Sequence, residues 1–320
     1  IEVTKAQKEK HESTHVPFQS WCRYCVKARG VNKAHRKKKG KESENHELEK
    51  VPRVSMDYWF MSKKDEAAKT NPLIVMVNES STERYARATG RKGVGQENEM
   101  MWLIKDMSEE LKLWGHQGGL GGKIIMKADK EPALLALRDQ LAKYHGGVVV
   151  PQSPPRNESQ SNGLVEESAR VVNEYTRVFK EQIEDKAGTI LDSGSNIVQW
   201  MVRWAGLVTS KYIVCKDKHI GYERRTRRTC DLEVVPFGEM VWYKQIREGK
   251  DRKNKMESEW KQGIWLGHSR DTPESLVGTD HGVVRAYTIK RLPEDERWNK
   301  EKIKSMQGNP QQPDPGRPGP

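Results

Sequence analysis

Apolar residues in this chain recur with two periods, and the switches between them outline a series of elements. From Val51, VPRVSMDYWFM is rich in β-branched and aromatic side chains and predicts a strand. NPLIVMVN predicts a second strand and ERYARATGRKG a third, close enough in sequence to form an antiparallel meander. Over Glu97–Trp114 the period lengthens, and Met101, Ile104, Met107, Leu111 and Trp114 share one face of a helix. GHQGGLGG ends it; lacking the Lys-Ser/Thr of a phosphate loop, it reads as a turn. KIIMKA predicts a fourth strand, PALLALRDQLAKY a helix opened by Pro132, and GGVVVP a short fifth strand. After the loop QSPPRNESQSNG, a long helix is expected from about Ser161 to Glu184. Leu164, Ser168, Val171, Val172, Tyr175, Val178 and Phe179 form its apolar stripe, while Glu166, Arg170, Asn173 and Arg177 occupy the other side. SNIVQWMVRWAGLVTSKYIV predicts a further amphipathic helix.

The order β-β-β-α-β-α-β-α predicts an α/β fold with a mixed sheet, a ribonuclease-H-like core over residues 51–230. The short strands EMVWYKQI, QGIWLGHS and SLVGTDHGVVRAYTIKRL follow, carrying Trp242, Trp260 and Trp265. They predict a small β-barrel-like module over 231–298. Residues 31–50 are nearly devoid of apolar side chains and read as a basic linker, setting off a separate module at 1–30. The Pro/Gly-rich end, within 299–320, is expected to be disordered.

Composition sharpens this outline. Hydrophobic residues make up 34% and charged residues 32%, so folded parts joined by solvated linkers are expected. The net charge of +12 over 320 residues favours a polyanionic partner, most commonly nucleic acid, against the alternative of a basic surface with no specific partner. Arg36-Lys37-Lys38-Lys39 reads equally well as a nuclear import signal, a phosphate-contacting arm or a solvated linker. No apolar run approaches the roughly 20 residues that span a bilayer, so no membrane partner is expected. A start at Ile1 is expected of a processed product, a polyprotein segment or a truncated chain.

Two constellations carry chemistry. His11, His15, Cys22 and Cys25 have the spacing H-x3-H-x6-C-x2-C, which offers tetrahedral Zn²⁺ two nitrogens and two thiolates. The closed set leaves no position for water, so the metal would be structural; a redox C-x-x-C with bystander histidines is the alternative. Asp57 lies within the first strand, Asp129 just past the fourth, and Glu166 near the start of the long helix. Such carboxylates can hold two Mg²⁺ (or Mn²⁺) ions for phosphodiester chemistry.

With these residues located, the chain resembles the integrase region of copia-type long-terminal-repeat retrotransposon polyproteins and, more distantly, retroviral integrases. The matching pieces are HESTHVPFQSWCRYCVKARG, MDYWFM, KADKEPA, SQSNGLVEESAR, PFGEMVWYK and KQGIWLGHSRDTPESLVGTDHGVVRAYTIKRLP, spread over most of residues 10–300. The resemblance implies a DDE-type polynucleotidyl transferase that processes 3′ ends and joins element DNA to a host chromosome. It maps the D,D-35-E triad to Asp57, Asp129 and Glu166 and the zinc ligands to His11, His15, Cys22 and Cys25. Arg170 matches a position that contacts element-end DNA and Asn162 one that reads the end. Lys127 and Lys130 flank the second acid near phosphate, and Arg177 extends the same helix face. Implied partners are element ends and a target duplex, bound by a homo-oligomer. The implied setting is the nucleus at the integration step and a cytoplasmic particle before it. A catalytically inactive relic that only binds nucleic acid, and a nuclease of ribonuclease H type, are the competing readings.

Overall fold

The computed structural model describes residues 3–29, 51–95, 100–119, 122–152, 163–245 and 258–317. Two short helices come first, α1 (Lys5–Thr14) and α2 (Arg23–Arg29). The central part runs β1 (Arg53–Phe60), α3 (Lys63–Ala68), β2 (Pro72–Asn78), β3 (Arg84–Ala88), α4 (Met101–Leu113), β4 (Lys123–Ala128), α5 (Pro132–His145), β5 (Val148–Gln152), α6 (Gly163–Ala187), α7 (Asn196–Lys211) and α8 (Gly221–Thr226). Then follow β6 (Met240–Gln245), β7 (Lys261–His268), β8 (Ser275–Thr279), β9 (Gly282–Arg291) and α9 (Lys300–Ser305).

The fold is mixed α/β. β1 to β5 form one sheet in the order β3-β2-β1-β4-β5. The expected meander is present: β1 pairs antiparallel with β2, and β2 with β3. β4 pairs parallel with β1, and β5 parallel with β4. β2, the run PLIVMVN, is buried along its whole length because both faces of the sheet are covered. On one face Val54, Met56 and Met126 pack with Leu103 and Met107 of α4 and Leu137 and Leu141 of α5. On the other, Leu73, Val75 and Ala86 pack with Val172, Tyr175 and Phe179 of α6 and with Trp204 and Val208 of α7. α6 buries Val171, Val172, Tyr175, Val178 and Phe179, as its stripe predicts.

β6 to β9 close into a barrel. Its core is continuous with that of the sheet, since Trp265 meets the Trp204 ring edge-on at 4.9 Å. α3 was not legible beforehand. It is set by the Ser62 side chain, which accepts from the Asp65 N–H as an N-cap.

Two expectations need correction. The helix placed over Glu97–Trp114 starts only at Met101, and residues 96–99 lie outside the described set. The tail expected to be disordered over 299–320 is ordered in its described part, up to residue 317. Ile303 and Met306 are buried, Trp200 Nε1 donates to the Gly308 carbonyl at 3.1 Å, and the Pro313 carbonyl accepts from the Val283 N–H at 2.7 Å. Pro/Gly composition removes the means of forming a regular element, but backbone carbonyls can still be satisfied by a neighbouring helix and strand.

Gly267 sits at φ +95°, and a Cβ there would lie 2.4 Å from Trp204 Cε3. Gly115 has φ +91° but open space around it. We expect Gly267→Ala to cost about 2–4 kcal/mol and Gly115→Ala about 1 kcal/mol, because the first adds a clash to the same backbone strain. Urea unfolding of the two variants measures the difference.

Candidate metal centre and acidic site

The N-terminal segment folds so that four ligand atoms converge. Thr4 caps α1 with a reciprocal capping box to Gln7. His11 is in the last turn of α1. His15, at the C-cap, takes φ 55° and returns its N–H to the His11 carbonyl at 2.7 Å, which brings both rings to one side. Cys22 leads into α2 and accepts at its carbonyl from the Val26 N–H at 3.0 Å, so Cys25 follows one turn later on the same side. All four side chains are buried, and their ligand atoms lie within 4.8 Å of one another. Cys25 Sγ is 3.3 Å from His11 Nε2 and 3.7 Å from His15 Nδ1, and Cys22 Sγ is 3.6 Å from His15 Nδ1. A tetrahedral zinc with ordinary bonds spaces sulfur and nitrogen about 3.6 Å apart. The cysteines are free thiols, and Cys22 is held far below the usual thiol range, by its hydrogen bond with Cys25 first and by both imidazoles next. This cluster could bind zinc. The knuckle rests on α6: Val178 joins its core, Tyr24 donates to Asp185 Oδ2 at 2.7 Å, and Gln182 Nε2 donates to the Glu12 carbonyl at 3.2 Å.

A second cluster of acids lies where the pairing of β1 with β4 ends. The parallel register pairs Met56 with Ala128, so Asp57 and Asp129 follow side by side as the strands leave that pairing. Met56 faces α4 and α5, whereas Val75, the register partner of Asp57 on β2, packs on the α6 side. Alternation along a strand therefore turns Asp57 toward α6. Its carboxyl is pushed up to about 6, mainly by burial, with Asp129 and Glu131 adding; the Tyr58 N–H, which donates at 2.8 Å, and Lys92 pull the other way.

Glu131 and Lys92 escaped the sequence reading. Glu131 is the N-cap residue of α5, and Lys92 Nζ reaches both its carboxylate oxygens at 2.9 Å. Lys92 also lies over the rings of Phe60 and Tyr58, 5.0 and 5.3 Å from their centres. The Tyr58 hydroxyl accepts from the Gly93 N–H at 2.9 Å and anchors that loop. Two positions after Asp129, Glu131 had a visible signal in KADKEPA; Lys92 had none.

Glu166 is in the first turn of α6, exposed, and α6 packs over β1 and β2. Asp57, Asp129 and Glu166 are not gathered as tightly as the His/Cys group, which is the one such set among the described residues. Lys127 is half-buried on β4, two residues before Asp129, and Lys130 is exposed just after it. Arg170 is engaged within its own helix, with Glu167 at 2.6 Å and with Glu174. Arg177 is exposed. Asn162, His35 and the run Arg36–Lys39 lie outside the described residues. Among the described residues, no helix is long and apolar enough to cross a membrane.

No protein-family model matches the chain, and no curated protein does. Among solved structures it is similar to a chain of the simian T-cell lymphotropic virus intasome in complex with PP2A regulatory subunit B56 gamma, determined by cryo-electron microscopy. The identity is 14%, the match covers 85% of this chain and 87% of that one, and the TM-score is 0.40.

Two outcomes follow from the geometry. Cys25→Ser should leave the chain without bound zinc by atomic absorption and open residues 3–29 to trypsin, because metal binding and folding of so short a segment are one equilibrium. Asp57, held near 6 in the folded state, has an unfolded value of about 3.9. The folded state thus keeps its proton longer; the contribution of Asp57 to stability is greatest below pH about 4 and declines as pH rises to about 6. Urea unfolding without magnesium should show Asp57→Asn gaining up to about 3 kcal/mol on the wild type above that range, and the gain should vanish below it.

Proposed function

We propose that the chain is a DNA-joining enzyme, a DDE-type polynucleotidyl transferase and retrotransposon integrase of the copia type. The carrying observation is the placement of Asp57 and Asp129 side by side on adjacent parallel strands, with Asp57 turned toward the helix that bears Glu166. The strand order β3-β2-β1-β4-β5, antiparallel then parallel, supports a ribonuclease-H-like core over 51–230, with a zinc module at 1–30 and a DNA-binding barrel over 231–298.

The acidic site fits divalent metal on its own electrostatics. Asp57 carries a charge that burial and two neighbouring acids oppose, and a cation would relieve that opposition. Asp57, Asp129 and Glu166 would hold Mg²⁺ or Mn²⁺, which supplies activation of the attacking oxygen and stabilisation of the leaving one. Lys92 holds the Glu131 carboxylate in an ion pair at the same end of the sheet. The closed His/Cys set takes zinc for structure. The net charge of +12 supplies the long-range attraction for element ends and target duplex. The reading extends to a homo-oligomer on DNA acting in the nucleus after a cytoplasmic particle stage.

Labelled duplex ends incubated with the chain and Mg²⁺ or Mn²⁺ should be joined to a target duplex. Asp57→Asn and Asp129→Asn should reduce joining below detection while duplex affinity stays within about twofold, since only the metal ligands change. Joining that persists in Asp57→Asn rejects the triad. Duplex affinity should fall by about 10³ between roughly 50 and 200 mM salt through counterion release, which fluorescence anisotropy reads directly.

A further inference from the structure

A cavity of about 310 Å³ lies where α4, α7, the barrel and the C-terminal tail meet, and buried guanidinium groups form its floor. Arg87 and Arg270 both bind Asp106, through Nη2 atoms at 2.8 and 2.9 Å from its two carboxylate oxygens, and Arg270 also reaches Glu110 at 3.4 Å. Arg203 is 7% exposed and lines the same cavity. Its one hydrogen bond to a described residue runs from Nη1 to the His268 carbonyl at 2.9 Å, and it has no carboxylate partner among the described residues. A guanidinium carries five N–H donors, and a buried one without an anion is costly. Beneath the cavity three arginines (Arg87, Arg203 and Arg270) meet two acids (Asp106 and Glu110), and Arg285, Glu109 and Asp271 complete the charged lining.

We propose that this cavity binds a compact phosphate-like oxyanion, with Arg203 as its principal contact. A tetrahedral oxyanion matches the donor fork of arginine, and the volume leaves room for it with several waters at about 30 Å³ each. Arg203 is held down at about 9, by burial first and by Arg87 and Arg270 next, and a bound anion would reverse that. Glu110 is pushed up by burial, which weakens one of the two acids that hold Arg270. The rim favours a free small anion over a nucleic-acid backbone. Glu109 and Asp271 are exposed there and would repel the neighbouring phosphates of a strand. Because Arg203 is on α7, Arg270 on the β7–β8 connection and Pro313 on the tail, the anion would fasten the barrel to the sheet-bearing body. This does not depend on the DNA-joining reading.

Calorimetric titration of the full chain with inorganic phosphate, at ionic strength fixed with sodium chloride, tests it. We expect saturable binding at one site, weakened at least tenfold in Arg203→Met. Equal binding by wild type and variant, or no saturable heat, overturns the proposal. So does competition in which a short duplex displaces no phosphate yet takes over the Arg203 dependence. Should Arg203→Met fail to fold, wild-type crystals soaked in tungstate decide the matter. Anomalous density beside Arg203 supports the site, and density elsewhere or none rejects it.

Discussion

The buried side of α6 is the surface on which the other parts of the molecule assemble. Val172, Tyr175 and Phe179 pack on the sheet and α7, Val178 receives the His/Cys knuckle, and Phe179 also meets Phe237 on the way to the barrel. Burying side chains of this size stabilises by about 1.5–3 kcal/mol each. A single stripe thus holds the sheet, the knuckle and the barrel in one arrangement. It also fixes where the opposite side of the helix lies, and Glu166 travels with it. The acidic site and the knuckle are positioned by the same helix, one near its start and the other near its end.

Charge balance separates structural ion pairs from places that ask for a ligand. Asp106 is half-buried, yet Arg87, Arg270 and the Tyr85 hydroxyl all reach it, and its carboxyl stays below the usual range despite desolvation. That group is satisfied by the chain alone. Asp57 and Arg203 are the opposite case, one acid and one base whose charges are opposed by burial and by neighbours of the same sign. The acid is where the proposed cation would sit, and the base is where the proposed anion would sit. Perturbed groups of this kind collect where proteins bind things, because the ligand supplies the missing charge.

Much of the outline was legible in advance. The strands around Asp57 and before Asp129 were, since β-branched and aromatic runs leave few alternatives. The stripe on α6 was, because seven positions at helical spacing agree. The His/Cys knuckle was legible from spacing alone, since both pairs sit one helical turn or one tight turn apart. The tail was misjudged: it holds its place through hydrogen bonds from Trp200 and Val283, more than a hundred positions and about thirty positions away. Glu131 and Lys92 were missed for a similar reason, as their pairing joins a loop after β3 to the cap of α5. The expected phosphate contact of Arg170 met competition that was visible only in part, because Glu167 and Glu174 lie one turn on either side.

The amino-acid sequence by itself determined the elements, the faces they bury and the metal-ligand spacing, because periodicity and turns are local and act within a few residues. Tertiary structure alone decided which charges meet. That Asp57 and Asp129 stand together, that Arg203 has no acidic partner among the described residues, and that the tail closes over α7 all depend on packing between segments far apart in the chain. Coulomb energies and hydrogen bonds fall off over a few ångströms in space and take no account of separation along the sequence.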